Sequence, residues 1–434
     1  MKKSLIAAIT ISSIASIAHA DVNVVGNDHT DVSVYGVLDV GVAQLTNAGN
    51  FGPNITGTNP TGSNAPFGTV RGMVNGAVSQ TRWGIKGSEE MGGGNKAFFQ
   101  LESAFSLPNG NISASGLAGG GGASNRSMIS DTAINGQLFN RMAFVGIANT
   151  DWGALTFGRQ NSLQLDIITS VGGGYDPVNA QIFSPINFSG TYGGGGATDN
   201  SRVDSAIKYA KKIGNLNVSA LYGMGGMANA SSARSNGQLN VGYETGVFGV
   251  QLGLQQANDT TAMSANAAPN TVNAVFEKVQ SYMLAGRYQV TDGLTLKAGY
   301  EREQISAPSN YGADALMTTL YSYNIGTNKS FANQRNLNVY WLGANYQVTP
   351  ALKASVGFYD VVTAAGTEAA SGAAVTTIDG ADKYYSAMLE YYLSKQTNLY
   401  AAMMLDRKSG SMVSSNGIGI ANFNTYGVGL RVKF

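Results

Sequence analysis

Bond-making chemistry has few residues to draw on in this chain. It contains no Cys, and its two His stand at positions 19 and 29. A thiol nucleophile, a Cys-ligated zinc site and a disulfide framework are excluded. The Gly-rich stretches Gly119–Gly122 and Gly172–Gly174 are not phosphate loops. No Gly-x-Gly-x-x-Gly lies between strand and helix, and no Lys-Ser/Thr follows. What remains is electrostatics. Charged residues make up 12% of the chain, about half the usual ~25%, so each charge beside an apolar run stands out. Arg82 and Lys86 fall on one side of an alternating segment, Arg141 and Arg202 sit at the openings of two others, and Asp166 and Asp176 share one long connection. No ligand spacing supports a metal site, and whether the loop acids hold Ca2+ is left open by the sequence; no cofactor is implied.

Composition narrows the elements that hold these charges. Gly accounts for 57 of 434 residues, well above the ordinary ~7%. Lys+Arg number 27 against 26 Asp+Glu, a net charge of +1. That leaves no basic field for phosphates and excludes a nucleic-acid binder. Lys2 and Lys3, the apolar stretch Leu5–Ile17 and the small-x-small site Ala18-His19-Ala20 form a secretory signal peptide over residues 1–20. The run is too short to span a bilayer. Cleavage removes Lys2, Lys3 and His19, so the mature chain carries a net charge of −1 and one histidine, His29. No later segment reaches the ~18 consecutive apolar residues of a transmembrane helix. The expected destination lies outside the inner membrane.

Period two runs through the rest. Tyr426, Val428, Leu430, Val432 and Phe434 share one face, with Gly427, Gly429, Arg431 and Lys433 on the other. Such alternation marks a strand with one apolar and one polar side. It recurs at Val34–Val42, Trp83–Lys86, Phe99–Phe105, Tyr282–Tyr288 and Leu294–Glu301. About sixteen such segments follow one another, joined alternately by short turns (for example 149–152 and 290–292) and long connections (47–80, 107–140, 161–203, 303–335). A sheet that crosses lipid must close on itself, with apolar residues turned to lipid and polar ones to the lumen. The pattern predicts an all-β, 16-stranded antiparallel up-and-down transmembrane barrel with short periplasmic turns and long extracellular loops. The tyrosines at 282, 288, 300, 346, 391 and 426 fit interfacial belts. A soluble sandwich would have shorter strands and less lopsided loops. Residues 21–30 receive no role beyond a flexible start.

The segments TRWGIKGSEEMGGGNKAFFQLESAF (81–105), FNRMAFVGIANTDWGALTFGRQ (139–160), LSKQTNLY (393–400), SVYGVLDVGV (33–42) and the terminal YGVGLRVKF (426–434) resemble the general porins of Gram-negative outer membranes, in their betaproteobacterial branch. The resemblance touches every strand region of residues 21–434. It implies a homotrimer, passive diffusion of small hydrophilic solutes and ions, and a third loop, residues 161–203, folded into the lumen. Surrounding lipid and lipopolysaccharide complete the expected partners. It also implies that the terminal pattern, here Phe434 with Tyr426, is read by the outer-membrane assembly machinery.

By the same resemblance, Arg82 and Arg141 match a ladder of arginines on the barrel wall, with Arg202 a third member, Lys86 lower on the same face, and Asp166 and Asp176 as the facing loop acids. Parity agrees for Arg82, because Trp83 and Ile85 must face lipid; Arg202 shares parity with Asp204 and Lys208. Opposed charges across a narrow aperture set up a transverse field that orders water and dipolar solutes. Where the family sometimes carries a basic residue on the first strand, the lumenal positions here are Val37 and Asp39. Arg159 points outward toward a subunit contact, Trp152 is an interface aromatic, and Gly36, Gly146 and Ala148 are read as small outward residues of a flat contact surface. A substrate-selective channel for sugars or carboxylates would show a file of aromatic or basic lumenal residues; Tyr35 and Phe98 face inward by parity, and two residues do not make such a file. A non-conducting adhesin barrel would need a bulkier lumen. An enzyme barrel would need acid–base groups near the loops, whereas His29 precedes the first strand.

Overall fold

A computed structural model describes residues 22–434 except 27–28, 49, 52–56, 59–67, 109, 111, 113–137, 170–173, 187–201, 227, 266–270, 309–317, 321–322, 331–334, 364–365, 371–372, 378 and 415–419. Residues 1–20, read above as a signal peptide, and the glycines at 119–122 and 193–196 lie outside the described residues. Sixteen strands form one closed antiparallel ring. They are β1 (Thr30–Ala48), β2 in two pieces (Gly68–Asn75 and Arg82–Gly92), β3 (Asn95–Ala104), β4 (Met142–Asn149), β5 (Gly153–Asn161), β6 (Arg202–Ile213), β7 (Leu216–Gly223) and β8 (Asn236–Glu244). They continue as β9 (Phe248–Ala265), β10 (Thr271–Gln289), β11 (Leu294–Ser306), β12 (Arg335–Thr349), β13 (Leu352–Thr363), β14 (Gly380–Tyr392), β15 (Thr397–Gly410) and β16 (Asn422–Lys433). Each pairs with its sequence neighbours, and β16 returns to β1 over Val37–Leu45.

The alternation sorts the faces as a barrel between two solvents requires. Val42, Val145, Leu284, Leu342, Val356 and Val428 point out and are more than half exposed. Exposed tyrosines form two belts at a constant interval of six residues: Tyr282 and Tyr288, Tyr340 and Tyr346, Tyr385 and Tyr391. That interval is about 20 Å of strand, with the apolar band between. Tyr300 packs on Tyr340 with ring centroids 5.0 Å apart, and Tyr243 stacks on Phe248 at 5.9 Å near the short-turn rim.

Four features depart from the sequence reading. First, β9 and β10 rise far beyond the ring as an 18- and a 19-residue hairpin. Their polar Asn/Thr/Ala tips lack alternation, so they read as loop. Second, Val22–Gly26 is a strand, paired with β1 from Val34 to Asp31 on the edge that β16 leaves open below its end. Third, Gly146 and Ala148 face inward, in an apolar cluster with Phe98 and Phe144, because parity on β4 runs from the exposed Val145 and Ile147. Fourth, β2 is interrupted. Val37 pairs with Arg82 and Val40 with Asn75, so two residues of β1 face six of β2, Gly76–Thr81, which leave the wall as an arch. Asp39 holds both feet and the crown: its carbonyl accepts from Gly76 N (2.7 Å) and Thr81 Oγ1 (2.8 Å), and its carboxylate accepts from Val78 N (3.2 Å) and Ser79 N (2.7 Å). Gly76 turns the chain at φ +67°, a conformation glycine adopts without a Cβ penalty.

The ring seam depends on one close approach. Gly36 and Phe434 exchange two backbone hydrogen bonds (2.8 and 3.1 Å), and the Phe434 ring lies directly over the Gly36 Cα, where a Cβ would strike it. Gly36 is small because it seats this ring. Gly36→Val is therefore expected to lower barrel stability by about 1–3 kcal/mol, the typical cost of forced overpacking, read as an earlier urea midpoint in lipid vesicles.

Candidate functional site

The connection after β5 enters the barrel. Ser162 opens the helix α1 (Leu163–Thr169): its Oγ accepts from Leu165 N at 3.2 Å, the usual N-cap contact. Leu163 N donates to Gln238 Oε1 on β8 (2.6 Å). Asp166 is buried, forms an ion pair with Lys208 on β6, and accepts from Asn161 Nδ2 at 3.3 Å. Burial pushes the Asp166 carboxyl above its ordinary range, with Lys208 pulling the other way.

The segment then crosses the inner wall. Tyr175 donates to Glu244, which also pairs with Arg287 Nη2 at 2.6 Å; burial, then Glu244, pushes the Tyr175 hydroxyl up. The Tyr175 carbonyl accepts from Trp341 Nε1 (2.9 Å), the Asp176 carbonyl from Lys297 Nζ (3.1 Å) and the Pro177 carbonyl from Asn345 Nδ2 (2.6 Å). The Asp176 carboxylate accepts from Tyr359 Oη (2.6 Å) and Val178 N (3.1 Å), and burial raises its pKa. Ile167, Pro177 and Phe183 seat against the wall glycines Gly253, Gly343 and Gly427. The segment ends on the arch, where Gln181 N and Ile182 N donate to the Val78 and Ala77 carbonyls at 3.2 and 3.0 Å.

The remaining inner wall carries the guanidiniums. Arg82 Nε lies 3.2 Å and Arg141 Nε 2.5 Å from the two oxygens of Glu102 on β3. Tyr35 Oη donates to Glu102 Oε2 (3.0 Å) and accepts from Gln100 Nε2 (2.5 Å). Arg82 Nη1 donates to the Gln80 carbonyl (2.9 Å), and Arg141 Nη1 to the Gln80 side chain. On β16, Arg431 donates to Ser79 Oγ (2.9 Å) and Asn398 Oδ1 (3.0 Å) and pairs with Glu390 Oε1 (2.5 Å). Arg202 is buried within electrostatic reach of Glu102 and Arg82. Its parity argument does not hold: a bulge between Val203 and Ala206 shifts the register, so Val203 turns inward beside Leu163. Lys86 sits nearer the short-turn rim, 5.4 Å over the Tyr35 ring.

Thus Arg82 and Arg141 meet around one carboxylate, with Arg202 nearby. Asp166 and Asp176 are joined to Lys208 and Tyr359 and fasten the loop to the wall. Asp39, at the position where a basic residue was considered, anchors the arch. Outside, Arg159 Nη1 pairs with Asp204 Oδ1 at 2.6 Å. Sequence reasoning missed Glu102, Arg431 and Gln80 as parts of the site. Glu102 and Arg431 were visible as the polar partners of Leu101 and Leu430; Gln80 had no signal, because the arch reads as loop.

A closed barrel that is apolar outside, polar inside and crossed by its own loop defines a transmembrane channel protein. A family profile described as Gram-negative porin matches residues 5–411. The chain belongs to this family. An outer membrane porin protein of Bordetella pertussis is 27% identical over 448 residues, covering 100% of both chains. Among solved structures, the anion-selective porin from Comamonas acidovorans matches with a TM-score of 0.60 at 18% identity, over 93% of this chain and 100% of that one. A trimer form of OmpT from Vibrio cholerae matches with a TM-score of 0.56 at 15% identity, over 94% and 100%. These two likenesses concern the fold. The protein is an outer-membrane porin whose lumen is a channel for passive diffusion.

Asp166→Asn leaves Lys208 charged and buried. It is expected to cost about 3–5 kcal/mol, whereas Asp166→Leu with Lys208→Met recovers most of the loss. Urea unfolding followed by heat-modifiable gel migration measures both.

Proposed function

We propose that the channel is a general-diffusion pore with a preference for small anions, narrowed by residues 163–169 and 174–186, with Arg82, Arg141 and Arg202 as its basic constriction and Lys86 toward the periplasmic exit. Asp166 and Asp176 serve that constriction by fixing the opposite wall. One observation carries the reading. Among the described residues, the guanidiniums of Arg82, Arg141, Arg202 and Arg431 gather on one side of the lumen, where Glu102 is shared by Arg82 and Arg141 and Glu390 pairs with Arg431. An excess of one sign in a low-dielectric aperture raises the local concentration of the opposite ion. The name of the Comamonas relative supports the same sign. In planar bilayers under a salt gradient, Arg82→Ala with Arg141→Ala is expected to move the reversal potential toward cations. An unchanged potential rejects the assignment, and saturable block by one solute would identify a selective channel instead.

We further propose a homotrimer joined through the side of the barrel at β4 and β5. These strands have 8 and 9 residues, at or below the ~9–11 of a tilted membrane strand. Beside them, the Arg159–Asp204 pair lies on the outer face, where charge facing lipid is unfavourable to an extent set by depth, from ~0–1 kcal/mol near the interfaces to ~2–4 kcal/mol at the midplane. A second copy covering this side removes both costs. The trimer form of the Vibrio relative supports the assembly. The rest of the outer face meets lipid and lipopolysaccharide, and Tyr426 with Phe434 is the pattern offered to the assembly machinery. Arg159→Glu sets two acids side by side. It is expected to convert heat-resistant trimers to monomers on unboiled gels, with single-channel steps no longer in threes.

A further inference from the structure

The arch Gly76–Thr81 does more than interrupt a strand. Its neighbours come from parts of the ring that do not touch each other: Arg82 at its own foot, Arg141 at the start of β4, two strands away, and Arg431 on β16, on the far side of β1. The Gln80 carbonyl receives Arg82, the Gln80 side chain receives Arg141, and Ser79 Oγ receives Arg431. Every one of these acceptors is neutral. Behind them, Ala77 and Val78 pack with Val178, Ala180 and Phe183 of the inner loop, and their carbonyls take the two backbone hydrogen bonds that end its path. The arch therefore stands between the guanidinium wall and the loop wall and touches both.

We propose that the arch is a selectivity element of the pore in its own right: a ledge whose neutral acceptors, the Ser79 hydroxyl and the side chain and carbonyl of Gln80, keep three guanidiniums gathered beside the solute path without cancelling their charge. The proposal rests on the constriction described above. A carboxylate at either position would pair with Arg431 or Arg141 and neutralise part of the field. A neutral acceptor orients a guanidinium while leaving its charge for the solute. Asp39 supports the ledge from behind, where its charge is spent on the arch backbone and Tyr400, so it is a positioning residue.

Because the chain has no Cys, the ledge can be recharged after folding. Ser79→Cys, trimeric and inserted in a planar bilayer, is treated with a negatively charged methanethiosulfonate and, separately, a positively charged one. The Sγ thiolate takes the sulfenyl group and methanesulfinate leaves. Adduct formation is checked by mass. The expected result is a shift of opposite sign with the two reagents, about twofold or more in the anion-to-cation permeability ratio, as for a unit charge some 10 Å from the path. Gln80→Glu is expected to match the negative adduct. A full mass increment with no shift from either reagent overturns the proposal, and so does a thiol that neither reagent reaches. If the Arg82→Ala, Arg141→Ala channel shifts while the modified ledge does not, the constriction stands and the ledge alone fails. If neither shifts, both fail. Asp39→Asn separates positioning from charge: it is expected to raise open-channel noise while the negative adduct at Ser79→Cys still shifts the potential.

Discussion

Hydrocarbon offers no partner to a peptide N–H or C=O, and every other feature of this protein follows from that constraint. A strand in lipid is tolerable only when both edges are bonded, so the chain closes its sheet. The closing bonds run between β1 and β16 and finish where the Phe434 ring covers Gly36. Where β16 stops, Val22–Gly26 takes up the free edge of β1. The seam leaves little backbone unpaired across the depth of the wall.

Closure solves the lipid problem and creates a lumen too wide to discriminate, since a sixteen-stranded ring encloses an aqueous channel. The chain narrows it with its own segment. A loop laid against an inner wall has backbone groups that need partners, and they are supplied one by one by Trp341, Lys297, Asn345 and the arch. The loop acids belong to the same logic. Asp166 and Asp176 face the wall side of the segment and fasten it through Lys208 and Tyr359. The acids of the described loop are thus spent on attachment to the wall.

The wall was legible in the sequence because two immiscible surroundings force alternation on every strand. Arg82 could be assigned from Trp83 and Ile85 for that reason, and Glu102 and Arg431 carried the same signal. Legibility ended where period two ends. The arch, Gly76–Thr81, has turn-like composition and merged into the long connection before it. The bulge after Val203 reversed the parity on which Arg202 had been placed, although Arg202 still reaches the site. The inward turn of Gly146 and Ala148 follows from Val145 and Ile147, but small residues carry too little polarity to declare a face. The fastening roles of Asp166 and Asp176 depend on Lys208 and Tyr359, partners remote in sequence, and no local pattern encodes them.

The inner segment is fixed at its start, middle and end, each time to a wall strand or to the arch. The connections beyond the long-loop rim can therefore lengthen or shorten at a closure cost of only ~0.6 kcal/mol per doubling, while the inner segment keeps its own attachments. The outward connections can thus diverge in one part of the chain while the segment laid inside the barrel is held by another.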